Sequence, residues 1–230
     1  MNNGLVKCFL VGLLALTIFG CSRTPSPVAE LETDEQKTLY AIGIALSQQL
    51  EAFALTEAEL ETVKVGISDG VMKRTHQVDM QTYGPKIAEL GQSRVSAVQE
   101  QQKELGAAFE AKAVAEEGAM KTASGAIVIP ISAGTGPMPT AADTVKVHYH
   151  GTLIDGSVFD SSVDRDVPAT FPLNGVIKCW TEGLQKIKVG GKARLVCPAD
   201  VAYGDRGSPP RIKPGSTLVF EVELLEIVKK

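Results

Sequence analysis

Concentrated positive charge, a phosphate-cradling glycine loop, a Cys-x-x-Cys pair and an apolar run of bilayer length are all missing from this chain. With a net charge of −4 and no Lys/Arg cluster, it has no surface for the counterion release that drives nucleic acid binding, so nucleic acid is excluded as a partner. Gly134-Thr-Gly136 runs into Pro137-Met-Pro139 and reads as a turn, not a phosphate cradle. Without Cys-x-x-Cys a thiol-redox site has no basis, and no Ser, His and Asp can be placed together for hydrolytic chemistry. His148 and His150 share one strand face at ligand-like spacing, but no third ligand is visible nearby, and His76 reads as surface. Neither a metal nor a cofactor is expected. Aromatic residues make up 5% of the chain, with one tryptophan, Trp180.

The apolar run from Cys8 to Gly20, preceded by Lys7, suits a signal-peptide core and falls short of the roughly 20 residues that cross a bilayer. It ends in Leu16-Thr-Ile18-Phe-Gly20-Cys21, which resembles the bacterial lipoprotein signal, with Cys21 as the lipidated thiol. That resemblance implies a signal peptide over 1–20 and a lipidated tether over 21–32, extended by Pro25 and Pro27. Several acyl chains would hold the protein at a membrane without spanning it. Ser22 after the cysteine points to the outer membrane of a bacterial cell envelope, facing the periplasm or the surface.

A length of 230 residues with 44% hydrophobic and 22% charged residues suits a soluble globular chain of two domains. Thr33-Asp-Glu-Gln36 and Thr56-Glu-Ala-Glu59 have capping-box spacing, so a helix begins at each. The first carries an unbroken stripe of Leu39, Ile42, Leu46, Leu50 and Phe53; the second carries Leu60, Val63, Ile67 and Val71. Two such helices cannot enclose a core, so residues 33–84 call for a partner surface, and a second copy of the chain is the natural one. From Pro85 to about Ala115 the sequence is polar and rich in helix formers, predicting a solvated linking helix within 85–118 that Gly91 and Gly106 weaken.

The last segment, 119–230, alternates with period two. Val145, Val147 and Tyr149 face one way and Lys146, His148 and His150 the other; Leu218, Phe220, Val222 and Leu224 oppose Glu221 and Glu223. A turn at Asp155-Gly156, a loop from Ser161 to Pro168 and a short helix from near Lys178 complete a single sheet wrapped on one helix. The ordered motifs VHYHGTLIDGSVFD, VIKCWTEGL, AYGDRG and TLVFEVELL resemble the FKBP-type peptidyl-prolyl cis-trans isomerases from about Thr122 to Val228. The whole arrangement resembles the macrophage infectivity potentiator and related periplasmic FKBPs. The resemblance implies an α+β fold: an FKBP half-barrel of antiparallel strands on a short helix, preceded by an all-α dimerisation module and a long linking helix.

It also implies the activity, isomerisation of Xaa-Pro bonds in unfolded or partly folded exported proteins. Carried over by position, the catalytic residues are Tyr149, Phe159, Asp160, Trp180, Tyr203 and Phe220, and the substrate-binding ones are Phe171, Val176, Ile177, Ile212 and Arg165. Trp180 would be the floor under the proline ring. The Tyr203 hydroxyl and the Ile177 N–H would orient the peptide, and a macrolide inhibitor would occupy the same site. Ala169 and Ser208 stand where some members place an aromatic and a histidine, and Arg211 with Lys213 makes the nearby loop more basic. In an oxidising periplasm Cys179 and Cys197 invite a disulfide; the alternative is two buried free thiols. A different class of function stays open beside the enzyme, a dimeric holdase chaperone in which isomerase activity is incidental.

Overall fold

A computed structural model describes residues 30–228; the expected signal peptide over 1–20, the expected lipidation site Cys21 and most of the expected tether over 21–32 lie outside the described residues. The chain is α+β, with helices first and an antiparallel sheet after them. Helix α1 covers Asp34–Ser47. Thr33 opens it with both halves of a capping box, its hydroxyl taking the Gln36 N–H and the Gln36 side chain taking the Thr33 N–H. The stripe foreseen as unbroken to Phe53 changes pitch at Ser47, where a 3-10 segment over Gln48–Phe53 takes over and ends at Ala54 in the left-handed region (φ 45°). Helix α2, Glu57–Val71, starts on the complete capping box of Thr56 and Glu59.

Helix α3 runs from Met80 to Val114 and differs from the expected linker in two ways. It begins five residues before Pro85, because Asp79 caps it by accepting the Gln81 and Thr82 N–H groups, and the proline sits within the second turn. Its second half is not a free rod. Gly106 and Ala113 are buried, and Ala113 joins Ile127, Ile129 and Val196 in a small core with Phe109 and Ala119 against it. A Cβ on Gly106 would lie 2.3 Å from Thr217 Oγ1, so this glycine is where helix and strand domain touch, not merely a weak point in the helix. Gly91 likewise faces the Phe53 ring, at 3.4 Å from a would-be Cβ. At the other end of the contact, Glu116 pairs with Arg194.

Seven strands follow: β1 Met120–Lys121, β2 Ile127–Ser132, β3 Thr144–Leu153, β4 Val158–Ser161, β5 Ala169–Pro172, β6 Lys192–Cys197 and β7 Leu218–Val228. Their order is β1-β2-β6-β7-β3-β4, with β5 also pairing β3. The long β3–β7 pairing sets Tyr149 opposite Val222 and Gly151 opposite Phe220. The alternation read from the sequence is observed: Val145, Val147, Tyr149, Leu218, Phe220, Val222 and Leu224 are buried on one face. Against it lies helix α4, Lys178–Leu184, which puts Cys179, Trp180 and Leu184 into the same core. Thr181 anchors it by donating to the Leu173 carbonyl at 2.6 Å, and Glu182 accepts from Ser124 at the β1–β2 turn.

Cys179 and Cys197 are joined in a disulfide that fastens the first turn of α4 to the end of β6, eighteen residues away in sequence. Both cysteines are fully buried. Closing a loop of this size restricts the unfolded chain by an amount worth about 3 kcal/mol. Replacing both cysteines by alanine is expected to lower the free energy of unfolding by about 2–3 kcal/mol in a urea titration, with reducing agent having no further effect on the variant. Equal midpoints for the two proteins would contradict that role.

Candidate functional site

Five aromatic side chains converge where α4 meets the sheet. The Trp180 indole has three ring neighbours: Tyr149 at 5.2 Å, Phe171 at 5.6 Å and Phe220 at 5.2 Å, with interplanar angles of 81°, 88° and 79°. Each such near-perpendicular pair is favoured by about 0.5–1.5 kcal/mol beyond burial. Phe159 joins them by an edge contact to Phe220 at 5.4 Å. That contact needs Gly151 beneath it, since a Cβ there would come within 2.8 Å of the Phe159 ring and 3.0 Å of Phe220.

Trp180 is 4% exposed, and among the described residues its indole N–H has no hydrogen-bond partner. Packing alone holds the ring. Ile212 is as buried as Trp180; Phe171, Val176 and Ile177 are half-buried against the core, and Tyr203 is 41% exposed. Ile177 is the N-cap of α4; its carbonyl accepts the Trp180 and Thr181 N–H groups. As a cap residue it keeps its own N–H outside the helical ladder, and among the described residues that group donates to no protein acceptor. The structure brings together ten of the eleven residues that the family pattern picked out, through the aromatic contacts, the shared core and the Tyr149–Asp160–Arg165 hydrogen bonds, while Tyr203 is exposed and no contact joins it to them among the described residues.

Tyr149, Asp160 and Arg165 form a closed triangle at one side. The Tyr149 hydroxyl donates to Asp160 Oδ2 at 2.5 Å, Arg165 Nη1 donates to Asp160 Oδ1 at 2.5 Å, and Arg165 Nη2 donates to the Tyr149 oxygen at 3.0 Å. Burial pushes the Tyr149 phenol up, the Asp160 carboxylate adds to this and Arg165 opposes it, so the hydroxyl stays a donor at neutral pH. Burial also works to raise Asp160, but the bonds from Tyr149 and Arg165 outweigh it and the carboxyl ends below its ordinary value. Sequence reasoning missed one contact here. Arg211 Nη1 donates to the Phe159 carbonyl at 2.8 Å, so the residue read as basic loop decoration ties that loop to β4. The partner is a backbone atom 52 residues away, for which no side-chain pattern exists. On the opposite face of β3, His148 and His150 meet the Ser162 and Ser161 hydroxyls through Nδ1, and among the described residues no group of three or more His, Cys, Asp or Glu is arranged to hold a metal.

Because Asp160 titrates lower folded than unfolded, its stabilising effect is present above the unfolded carboxyl pKa, about 3.9, and is lost as pH falls through the depressed folded value. The stability difference between the protein and Asp160→Asn, followed by denaturant unfolding, is expected to be constant from about pH 7 to 5 and to shrink below about pH 4. A difference that grows on acidification would contradict this electrostatic account.

The family model for FKBP-type peptidyl-prolyl cis-trans isomerase matches residues 136–225, and that for the domain amino terminal to it matches residues 35–127. Among curated proteins, the chain is 36% identical over its whole length to the FKBP-type peptidyl-prolyl cis-trans isomerase FkpA of Aeromonas hydrophila, covering 96% of that protein. It is 42% identical to the 22 kDa FKBP-type isomerase of Escherichia coli K12 over 86% of this chain and 97% of the relative. Among solved structures, FkpA from Escherichia coli superposes with a TM-score of 0.66 at 34% identity, over 86% of this chain and 98% of that one. Two domain matches in the right order, whole-length relatives and an indole ringed by upright aromatics agree: the chain belongs to the FKBP-type peptidyl-prolyl cis-trans isomerases.

Proposed function

We propose that this isomerase acts on exposed Xaa-Pro segments of exported proteins, which it holds over Trp180 while the imide bond preceding the proline rotates. The barrier to that rotation, about 18–20 kcal/mol, is the amide resonance lost on twisting, and no covalent chemistry is needed to lower it. Water favours the planar, more polar ground state. A water-poor aromatic surface removes that preference, so the twisted form is bound relatively better. The observation that carries this reading is the buried indole with three perpendicular rings.

Roles follow from position. Trp180 underlies the proline ring; Phe159, Phe171 and Phe220 bound it; Val176 and Ile212 complete the apolar lining. The outward Tyr203 hydroxyl and the unengaged Ile177 N–H are the donors available to substrate carbonyls, and they fix the peptide's orientation. Tyr149, Asp160 and Arg165 keep the rim in place as one hydrogen-bonded unit. A macrolide inhibitor would use the same surface.

The setting we propose is the bacterial envelope, with Cys21 lipidated and the chain tethered to the outer membrane. The lipoprotein-like signal supports this, and so does the Cys179–Cys197 bond, since disulfides persist in oxidising compartments. A second copy of the chain is the proposed partner of the N-terminal helices. Leu39, Ile42 and Leu46 on α1 and Ile67 and Val71 on α2 are exposed, with Val71 at 71%, and apolar faces of this kind mark interaction surfaces.

Two outcomes check these readings. In an NMR exchange or protease-coupled assay on an Ala-Leu-Pro-Phe peptide, Trp180→Ala is expected to lower kcat/KM by about tenfold or more, equivalent to at least about 1.4 kcal/mol of barrier. Unchanged turnover in that variant would remove the site assignment. Sedimentation of residues 22–230 at micromolar concentration is expected to show a dimer, and a monomer would overturn the two-copy arrangement.

A further inference from the structure

The segment between β6 and β7 carries Tyr203 and Ile212, and its helical structure is two single 3-10 turns, Ala199–Val201 and Gly204–Arg206. Within it, Ser208 and Ile212 exchange backbone hydrogen bonds, and the Gly215 N–H returns to the Gly204 carbonyl at 3.0 Å. Short turns at Val201, Ala202, Gly207 and Ser216 add local backbone bonds, and further restraints come from outside. In front, Arg211 reaches the Phe159 carbonyl. Behind, helix α3 lines the segment with one face, Gln99, Gln102, Lys103, Gly106 and Glu110, at helical spacing.

Each of those residues meets the segment or the strand start that follows it. Gln99 Nε2 donates to Asp205 Oδ1 at 2.5 Å, and Lys103 Nζ lies 2.8 Å from the same oxygen. The Ser216 hydroxyl meets Gln102 Oε1 at 3.4 Å, and the Thr217 hydroxyl donates to Glu110 Oε1 at 2.8 Å. Two glycines let the backbones close: a Cβ on Gly215 would stand 2.8 Å from the Gln99 carbonyl oxygen, and Gly106 sits against Thr217. Asp205 is two residues from Tyr203, so its carboxylate anchors the turn that presents the phenol. The hydrogen bond from Lys103 draws the carboxyl below its ordinary value, with Gln99 contributing, so it remains an anion when the helix is docked.

We propose that α3, through Gln99 and Lys103 on Asp205, positions the substrate-orienting segment that bears Tyr203 and Ile212. Gln99, Lys103 and Asp205 are then positioning residues that act through Tyr203 and touch no substrate. The helix that leads from the N-terminal module is thereby part of the support of the active site. This inference rests on the isomerase reading of the Trp180 site and extends it to the part of the chain outside the strand domain.

The test uses the full-length chain and the same prolyl peptide, assayed at 10 °C with the folded fraction of every variant checked by circular dichroism. Asp205→Ala and the pair Gln99→Ala/Lys103→Ala are each expected to lower kcat/KM by about fivefold, and all three changes together by no more than either alone. In the Asp205→Ala background, Tyr203→Phe is expected to add little to the loss it causes alone. Exchanging the charges, Lys103→Asp with Asp205→Lys, is expected to recover most of the activity. Salt at about 1 M, where the screening length is about 3 Å, is expected to narrow the gap between the unmodified protein and Asp205→Ala. Fully folded variants with unchanged kcat/KM, or losses that multiply with that of Tyr203→Phe, would overturn the inference while leaving the isomerase reading intact. An unmodified chain without isomerase activity would overturn both.

Discussion

The structure depends on one buried indole. Trp180 is fixed by rings and not by a hydrogen bond, so its orientation is only as good as the packing that surrounds it. That packing is secured from several directions. The disulfide pins the residue before it to β6, Thr181 after it binds the Leu173 carbonyl, and Gly151 lets Phe159 and Phe220 close on each other. An apolar surface with no competing hydrogen bond suits a reaction in which nothing is transferred. The polar groups stand at the margin, where Tyr149, Asp160 and Arg165 satisfy one another, and Trp180 is surrounded by apolar side chains.

In the proposed reaction the edge donors, the Tyr203 hydroxyl and the Ile177 N–H, and the apolar floor act on different parts of the substrate. Donors at the edge can hold flanking carbonyls in both the planar and twisted states, which gives orientation without opposing rotation. The floor discriminates between the two states through solvation.

Much of this was legible in the sequence because strands announce their faces. Val145, Val147 and Tyr149 against Lys146, His148 and His150 give the inward and outward faces of the strand, and the caps at Thr33 and Thr56 mark helix starts by local hydrogen bonding. The site residues came from matched motifs, and the fold gathers all of them but Tyr203 around Trp180 and Tyr149. The helix α3 was harder. Its polar face reads as solvated, yet Gln99, Lys103 and Glu110 are polar because they bond to Asp205 and Thr217, more than 100 residues away. Gly106 looks like a helix-weakening residue until Thr217 is seen against it. Pattern within a segment reports burial against apolar matter; it is silent about polar docking between distant segments.

A single tryptophan makes the central claim directly measurable, because the indole N–H gives one resolved signal in a proton–nitrogen correlation spectrum. Titration with a short prolyl peptide is predicted to shift that signal saturably, together with the backbone amide of Ile177, whereas the same peptide with alanine in place of proline leaves both unmoved. An indole signal indifferent to the prolyl peptide, at concentrations where the bond is being isomerised, would contradict the account.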